Sequence, residues 1–316
     1  MTTPQLHFFR ATPRDWTNRP PLASSLQSFE TMLFMLSLRR HPAAVISCQS
    51  AIESALKAHL RAKPGALVNV ASAITGLAGQ GKPRLVEFST FRVLGFTNLR
   101  NDFAHYGYSP KDDSRAISQL LGTGLPLLLA LYADLFDLFL DARAVRPEAQ
   151  SFESLTDVER DKVGLIPEIG DHVRHALDVY ALVKDQPGLD VTYCIHALAY
   201  QVGRSVSANF MSAAECDLAF GDRRFDRSFD AEETERKRLE SLFTDSWRFD
   251  CPICQEGVSG FVCEIVERPD VPHRFSVPRG ACPSCGFSIP ASYTHLADVL
   301  LAKQVTAAAA AMAARQ

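Results

Sequence analysis

The chain of 316 residues is long enough for two or three domains, each with a buried core. Its formal net charge is −3, so no overall positive field attracts nucleic acid, and contact with RNA would need a local site. The longest apolar run, residues 125–140, is interrupted by a proline and two aspartates and is too short to cross a bilayer. The N-terminus has no secretion-signal pattern, so we expect neither a membrane partner nor export.

Helical periodicity dominates the first 145 residues. Residues 1–21 contain four prolines and little periodicity, and we interpret them as an N-terminal arm. The following segments show apolar residues at helical spacing: 26–36, 43–63, 67–77, 85–105 and 115–144. The last segment is expected to bend near residues 122–126, which contain two glycines and a proline. The pattern predicts a mainly α chain that begins with a bundle of four to five helices over residues 22–145.

The segment 85–105 ends in the sequence RNDFAH, residues 100–105. Arg100 is permanently cationic, and His105 is the side-chain type that titrates near neutrality. An imidazole can move the proton of a ribose 2′-hydroxyl, and a guanidinium can stabilise the phosphorane that follows, so the pair suits metal-free RNA cleavage. The spacing alone is weak, because it recurs at Arg268 and His273, where two prolines exclude a helix.

The stretch that ends at residue 105 resembles the Arg-x4–6-His motif of the HEPN superfamily, whose members are helical domains and often ribonucleases. The resemblance spans residues 22–145, and residues 51–60 are similar to the early HEPN helix that carries an acidic residue facing the motif. It implies Arg100 and His105 as catalytic residues and Glu53 as the partner of Arg100.

Other residues around the motif have expected roles too. Asn101 lies four residues before His105 on the same helix face, so we expect its amide, with Asp102, to orient the imidazole. Tyr106 and Tyr108 are candidates for stacking on a base of the substrate. HEPN toxins often carry a tyrosine two residues after the histidine, whereas this chain has Gly107 there. Gly107 also fits the end of a helix, where a histidine is favoured without any chemistry.

Helix geometry separates the two motif side chains. Five helical steps place Arg100 and His105 about 140° apart around the axis, with a rise of about 7.5 Å. One copy therefore does not aim both groups at a single phosphate, whereas two copies related by a two-fold axis can. HEPN ribonucleases typically work in this way, so the resemblance implies a homodimer that cleaves RNA to a 2′,3′-cyclic phosphate, in a prokaryotic defence or toxin-like role. The alternatives are a non-catalytic HEPN-like binding module and a structural helical adaptor.

The middle of the chain, residues 151–245, is predicted to be a second helical region. Two apolar stripes at helical spacing support this, one over residues 169–183 and one over residues 191–206. We recognise no family in this region.

The C-terminal part contains a metal-binding pattern. Two C-P-x-C sequences supply Cys251, Cys254, Cys282 and Cys285, and two such turns complete a tetrahedral shell of four thiolates. Gly286 follows the second turn, where the lack of a Cβ eases the approach of its amide to sulfur. Short strand signals between the turns predict a zinc ribbon over residues 247–291, with a structural Zn²⁺ and no catalytic metal. Cys263 is expected to be a core residue.

The charged residues within the predicted ribbon indicate which partners it could bind. Residues 247–291 hold four arginines and no lysine against five acidic residues, so the ribbon lacks a basic stripe for phosphate. Docking to a protein, binding of nucleic acid and simple stabilisation therefore stay as alternatives.

Five of the eight cysteines cluster in metal-binding spacing rather than in a disulfide framework, which fits a reducing cytoplasm. Residues 292–316 are alanine-rich and predict a terminal helix.

Overall fold

A computed structural model describes the ranges given at the end of this paragraph. The fold is mainly helical, with a small antiparallel β region near the C-terminus, which confirms the predicted class. The chain divides into two compact units, residues 1–177 with 202–210 and residues 178–201 with 211–316. The described residues are 9–10, 20–63, 65–109, 112–140, 173–186, 192–210, 229–243, 246–255, 260–267, 275–283, 285–289 and 294–313.

The first unit is built on a helical hairpin. Helix α1, Pro20–Ser37, packs along α2, His41–Leu60, and the apolar face of each helix is fully buried. The buried hydroxyl of Ser25 donates to the carbonyl of Ala51 at 2.6 Å and lies 2.8 Å from the hydroxyl of Tyr132. Because Ser25 has one proton and gives it to Ala51, Tyr132 is the donor in the second bond.

Capping residues divide the next predicted segments. Helix α3, Val70–Gly79, begins where the side chain of Asn69 accepts from the amide of Ser72. A 3-10 turn over Pro83–Glu87 follows, and α4, Thr90–His105, begins only after Ser89, whose hydroxyl accepts from the amide of Arg92. The single helix predicted from residue 85 is therefore a short turn and a separate helix, because a serine N-cap requires extended backbone before the first helical residue.

The predicted bend in the following segment is a π-helical turn. Helix α5, Asp113–Gln119, continues through Leu120–Gly124 in π geometry into α6, Leu125–Phe136. Pro126 has no N–H to offer the carbonyl of Gly122 in an α-helical pattern, and the guanidinium of Arg92 donates to that oxygen at 2.6 Å. The irregular turn is thus held by a side chain of α4.

Residues 113–136 also form a helix that is long and apolar enough to cross a membrane by length and composition. Its most apolar 18-residue stretch is 72% buried inside the unit. A core helix of a soluble protein meets the same criterion, so this helix is weak evidence of membrane insertion.

The remaining elements before the β region are a strand pair in the first unit and two helices whose residues 178–201 belong to the second unit. Strand β1, Phe9–Arg10, pairs antiparallel with β2, Phe139–Leu140, so part of the predicted arm is paired with the end of the bundle. The stripes of the middle region form a helix over residues 173–184 and a helix over Thr192–Phe210. A Cβ at Gly203 would collide with the backbone of α1 at Ser37, so this glycine permits close packing of the two helices.

The second unit contains the β region. An antiparallel sheet has the order β3-β4-β7-β8, formed by Ser246–Phe249, Phe261–Glu264, Gly280–Ala281 and Ser288–Ile289. Strands β5, Val266–Glu267, and β6, Phe275–Ser276, form a separate pair. The helix Phe229–Leu242 contacts β4. The predicted terminal helix is two helices, Thr294–Leu300 and Ala302–Ala313, and Gln304 of the second donates to the carbonyl of Asp250.

Candidate functional site

The four predicted metal ligands lie together in the second unit. The sulfur atoms of Cys251, Cys254, Cys282 and Cys285 are all within 4.8 Å of one another, and all four residues are buried. The Sγ–Sγ distance is 3.7 Å between Cys251 and Cys285 and again 3.7 Å between Cys254 and Cys282. Each C-P-x-C turn, or knuckle, lies between two strands along the chain: the first between β3 and β4, the second between β7 and β8.

The spacing of the sulfurs tests whether a metal fits. A disulfide would bring two sulfurs to about 2.05 Å, so these contacts are not disulfides. A tetrahedral ion with Zn–S bonds of about 2.3 Å separates its sulfurs by about 3.8 Å, close to the observed 3.7 Å. The cluster therefore has the size and donor set of a tetrahedral four-thiolate site, which suits zinc or iron.

The two knuckles share one backbone hydrogen bond and one positive φ angle. The carbonyl of Cys251 accepts from the amide of Gln255 at 2.9 Å, and the carbonyl of Cys282 accepts from the amide of Gly286 at 3.0 Å. The residue that follows the second cysteine has positive φ in both knuckles, 56° at Gln255 and 76° at Gly286. The turn thus needs a left-handed residue at this position, and only the second knuckle supplies glycine.

Cys263 is separate from this cluster. It lies in the middle of β4, opposite Trp247 on one side and Gly280 on the other, and is fully buried. Burial raises the pKa of its thiol to about 12, so it is an unreactive core thiol. His273, with the rest of the second Arg-x4-His match, lies outside the described residues.

In the first unit, the guanidinium of Arg100 is partly buried on α4. Its Nη1 donates to Oδ1 of Asn101 at 3.0 Å, and its Nε is shielded from solvent without a hydrogen-bond partner in the described part of the chain. Within that part, no carboxylate lies within 4.0 Å of it. A cation with free donors and no counter-ion is suited to an anion that comes from outside.

His105 is the last residue of α4 and is exposed. The difference in burial agrees with the helical angle, because Arg100 faces inward and His105 faces solvent. The amide oxygen of Asn101 accepts from Arg100, and among the described residues no hydrogen bond joins Asn101 to the imidazole.

Glu53 lies on α2, which packs against α4. Its Oε1 accepts from the amide of Gln49 at 3.2 Å. The structure therefore brings Glu53 onto a helix next to the motif helix, while over the described ranges its carboxylate bonds to Gln49 and not to Arg100.

The remaining predicted residues follow the motif. Asp102 lies 3.9 Å from the guanidinium of Arg115, and both side chains are about half exposed, so this pair adds little stability. Tyr106 is 87% exposed and is free to meet a ligand. Gly107 has φ of 83° and reverses the chain after α4. The hydroxyl of Tyr108 donates to Oδ1 of Asp113, and its ring packs edge-on against Phe103.

Sequence reasoning missed the residues that hold this loop. Oδ1 of Asp113 lies 2.7 Å from Nδ1 of His41 and also accepts from Tyr108, so one carboxylate connects the starts of α2 and α5 to the loop after the motif. Burial, followed by this bond to Asp113, raises the pKa of Tyr108, so the phenol stays protonated and remains a donor. No local pattern signals a contact between residues 72 positions apart.

Fold and site together define a mainly helical protein with a small antiparallel β region that carries a buried four-cysteine cluster. No family model matches the chain, and no curated protein or solved structure matches it either.

Proposed function

We propose that this protein is a metal-independent endoribonuclease of the HEPN type, active as a homodimer and fitted with a structural zinc ribbon. The observation that carries the proposal is the arrangement of two side chains near the C-terminal end of α4. There a partly buried guanidinium without a counter-ion in the described chain lies one and a half turns before an exposed histidine. Structural arginines are usually ion-paired, whereas no carboxylate of the described ranges pairs with Arg100.

The residues have distinct roles in this reaction. His105 takes the proton of the ribose 2′-hydroxyl or returns it to the leaving 5′-oxygen, and Arg100 stabilises the negative charge of the phosphorane. The 2′-oxygen bonds to phosphorus as the P–O5′ bond breaks, which leaves a 2′,3′-cyclic phosphate and a 5′-hydroxyl. Tyr106 stacks on a neighbouring base in this proposal, which the almost complete exposure of its side chain supports.

A second copy of the chain supplies what one copy lacks. Arg100 and His105 point in directions about 140° apart, so one motif does not converge on one phosphate. The outer face of α4 that carries His105 also exposes Phe91 by 84% and Leu94 by 43%. Large apolar side chains on the solvent side of a helix favour a protein contact there. Such a contact would place two motifs beside each other across a two-fold axis.

The test is cleavage of a structured RNA by the purified full chain in the presence of EDTA. We expect His105→Ala to lower the rate by about 10²–10⁴-fold, as for a lost acid–base group. Arg100→Ala should cause a loss of similar size, with the fold checked by circular dichroism. The matched control is His59→Ala, a histidine in the last turn of α2, which should cleave like the wild type. Unchanged cleavage in the His105 variant would exclude the mechanism.

For the metal, we propose Zn²⁺ held by Cys251, Cys254, Cys282 and Cys285. A shell of four thiolates is closed, so the ion stabilises the fold and takes no part in the reaction. Elemental analysis of the purified protein should find about one zinc per chain, lost in a variant with both Cys282 and Cys285 changed to serine. Cys263→Ser is the control, because Cys263 lies outside the cluster, and it should keep its zinc. Iron in place of zinc would contradict the assignment.

The second candidate is a non-catalytic HEPN-like module that binds a protein. The observation favouring it is the charge balance, with a net charge of −3 and no basic stripe in the ribbon. It predicts that the wild type leaves RNA intact at every concentration tested. The resemblance also implies a defence or toxin-like role in a prokaryote, and the cysteine usage favours the cytoplasm. Toxicity on expression that is lost in the His105 variant would support this role.

A further inference from the structure

On two neighbouring helices, three buried polar atoms have no hydrogen-bond partner in the part of the chain that the structure describes. Among the described residues, four buried side-chain nitrogen or oxygen atoms have no hydrogen bond, and three of them belong to α2 and α4. These are Oε1 of Gln49, Oγ1 of Thr97 and Nε of Arg100. Buried polar groups are nearly always paired in native proteins, so three such atoms on adjoining helices require an explanation.

The position of Thr97 and Arg100 on α4 can be deduced from its other contacts. Phe96 packs on Gly124, which places the π turn on one side of α4, and Thr90 bonds to Thr75, which places α3 on another. Thr97 and Arg100 are three residues apart and lie in the sector between these two sides. The remaining helix that packs extensively against α4 is α2, so this sector faces α2.

Gln49 points away from α1. The carbonyl of Ala51 bonds to Ser25 of α1, and Gln49 lies about 160° around α2 from Ala51. Gln49 is nevertheless only 1% exposed, so helices on the other side of α2 cover it, and α4 is among them. The amide NH₂ of Gln49 donates to Glu53, which fixes the amide orientation and leaves Oε1 as the free end.

We propose that Gln49 and Thr97 are positioning residues for Arg100, with their two oxygens and the Nε–H of the guanidinium meeting at one shared site between α2 and α4. The proposal rests on the function proposed above. One donor and two acceptors are the complement of a single water molecule, which accepts one hydrogen bond and donates two. Fixing Nε in this way turns the two terminal nitrogens of Arg100 outward, toward Asn101 and the substrate phosphate.

Thr97→Val tests the shared site because it removes only the hydroxyl. If the site exists, the variant loses the hydrogen bond that the Thr97 hydroxyl makes there, and the guanidinium of Arg100 becomes more mobile. We expect kcat for RNA cleavage to fall about tenfold with KM nearly unchanged, since Arg100 acts on the transition state. The melting temperature should fall by about 2–4 °C. Gln49→Met should behave in the same way, and Thr97→Ser, which keeps the hydroxyl, should restore both quantities.

The controls separate this inference from the proposed function. Thr31→Val removes a hydroxyl that is bonded to the carbonyl of Gln27 within α1, and it should leave kcat unchanged. The stability effect of Thr97→Val should vanish in an Arg100→Ala background, a measurement that needs no RNA. A melting temperature that rises in Thr97→Val, or an effect that persists in the Arg100→Ala background, overturns the inference. If the wild type does not cleave RNA, the proposed function is wrong. The stability measurements then still decide whether Gln49, Thr97 and Arg100 share one site.

Discussion

At the scale of single residues, the two cysteine knuckles differ at one equivalent position. Gln255 and Gly286 both have positive φ, and both donate their amide to the carbonyl of the first cysteine of their knuckle. A side chain with a Cβ is strained in this conformation, whereas glycine is not. The second knuckle is therefore relaxed, and the first stores a small amount of backbone strain.

This difference predicts opposite effects for two substitutions. Gly286→Ala should lower the free energy of unfolding by about 1 kcal/mol, and since no atom lies within 4 Å of the added Cβ, the cost is conformational. Gln255→Gly should leave stability unchanged or raise it by up to about 1 kcal/mol. Urea unfolding of both variants in excess Zn²⁺ measures the change. If the free energy of unfolding falls equally in the two variants, side-chain contacts and not backbone conformation determine the stability of the knuckles.

The contacts of a residue were predictable from the sequence where its partners lie within the same short sequence motif. Two C-P-x-C turns impose their own geometry, so their spacing was enough to predict the cluster that the structure contains. The surroundings of Arg100 depend on which helix packs where. The bonds from Arg100 to Asn101 and from Gln49 to Glu53 are local, each between neighbours along one helix. The carboxylate of Asp113, which Tyr108 and His41 share, joins residues 72 positions apart and was not visible from spacing.

At the scale of elements, the position of the motif helix depends on one close contact. The ring of Phe96 lies directly against Gly124 in the π turn, and a Cβ at residue 124 would lie 2.6 Å from Cε2 of that ring. The ring is buried and cannot turn away freely. The glycine therefore allows α4 to approach the core closely, and this fixes the depth of the helix that ends in Arg100 and His105.

Gly124→Ala should push α4 outward. We expect the free energy of unfolding to fall by about 1–3 kcal/mol, as for other overpacked cores, and RNA cleavage to fall with it. Adding Phe96→Leu removes the ring that collides, so the double variant should be more stable than Gly124→Ala alone. The matched control is Gly95→Ala on α4. The atom nearest to the new Cβ there is Oε1 of Gln119, at 4.0 Å, so the methyl group fits without a collision. A double variant no more stable than the single one would contradict this account.

Helical periodicity predicted most of the elements, and their ends were decided by single residues. The stripes over residues 169–183 and 191–206 are helices where the structure describes them. The break before α4 depends on the cap at Ser89, and the π turn depends on the missing N–H of Pro126 and on Arg92. These are features of one or two side chains within long apolar segments, so a pattern averaged over many residues does not detect them.

At the scale of the whole molecule, the proposed active site shared by two chains depends on the directions of the two motif side chains. Arg100 faces the interior side of α4, and His105 faces solvent beside exposed apolar residues. A single chain therefore offers its histidine to a partner more readily than to its own arginine. The sequence predicted this divergence from the helical angle alone, whereas the surface that a second copy would cover became visible only with the burial of each residue.

Mixing inactive variants tests this arrangement directly. In a dimer whose two sites each combine Arg100 of one chain with His105 of the other, an Arg100→Ala chain paired with a His105→Ala chain keeps one intact site. An equal mixture exchanged to equilibrium is about half heterodimer, so it should recover about a quarter of wild-type cleavage. Each variant alone, and a mixture prepared without exchange, should stay inactive. Cleavage that fails to return, with heterodimers verified by native mass spectrometry, would mean that both catalytic groups must come from the same chain.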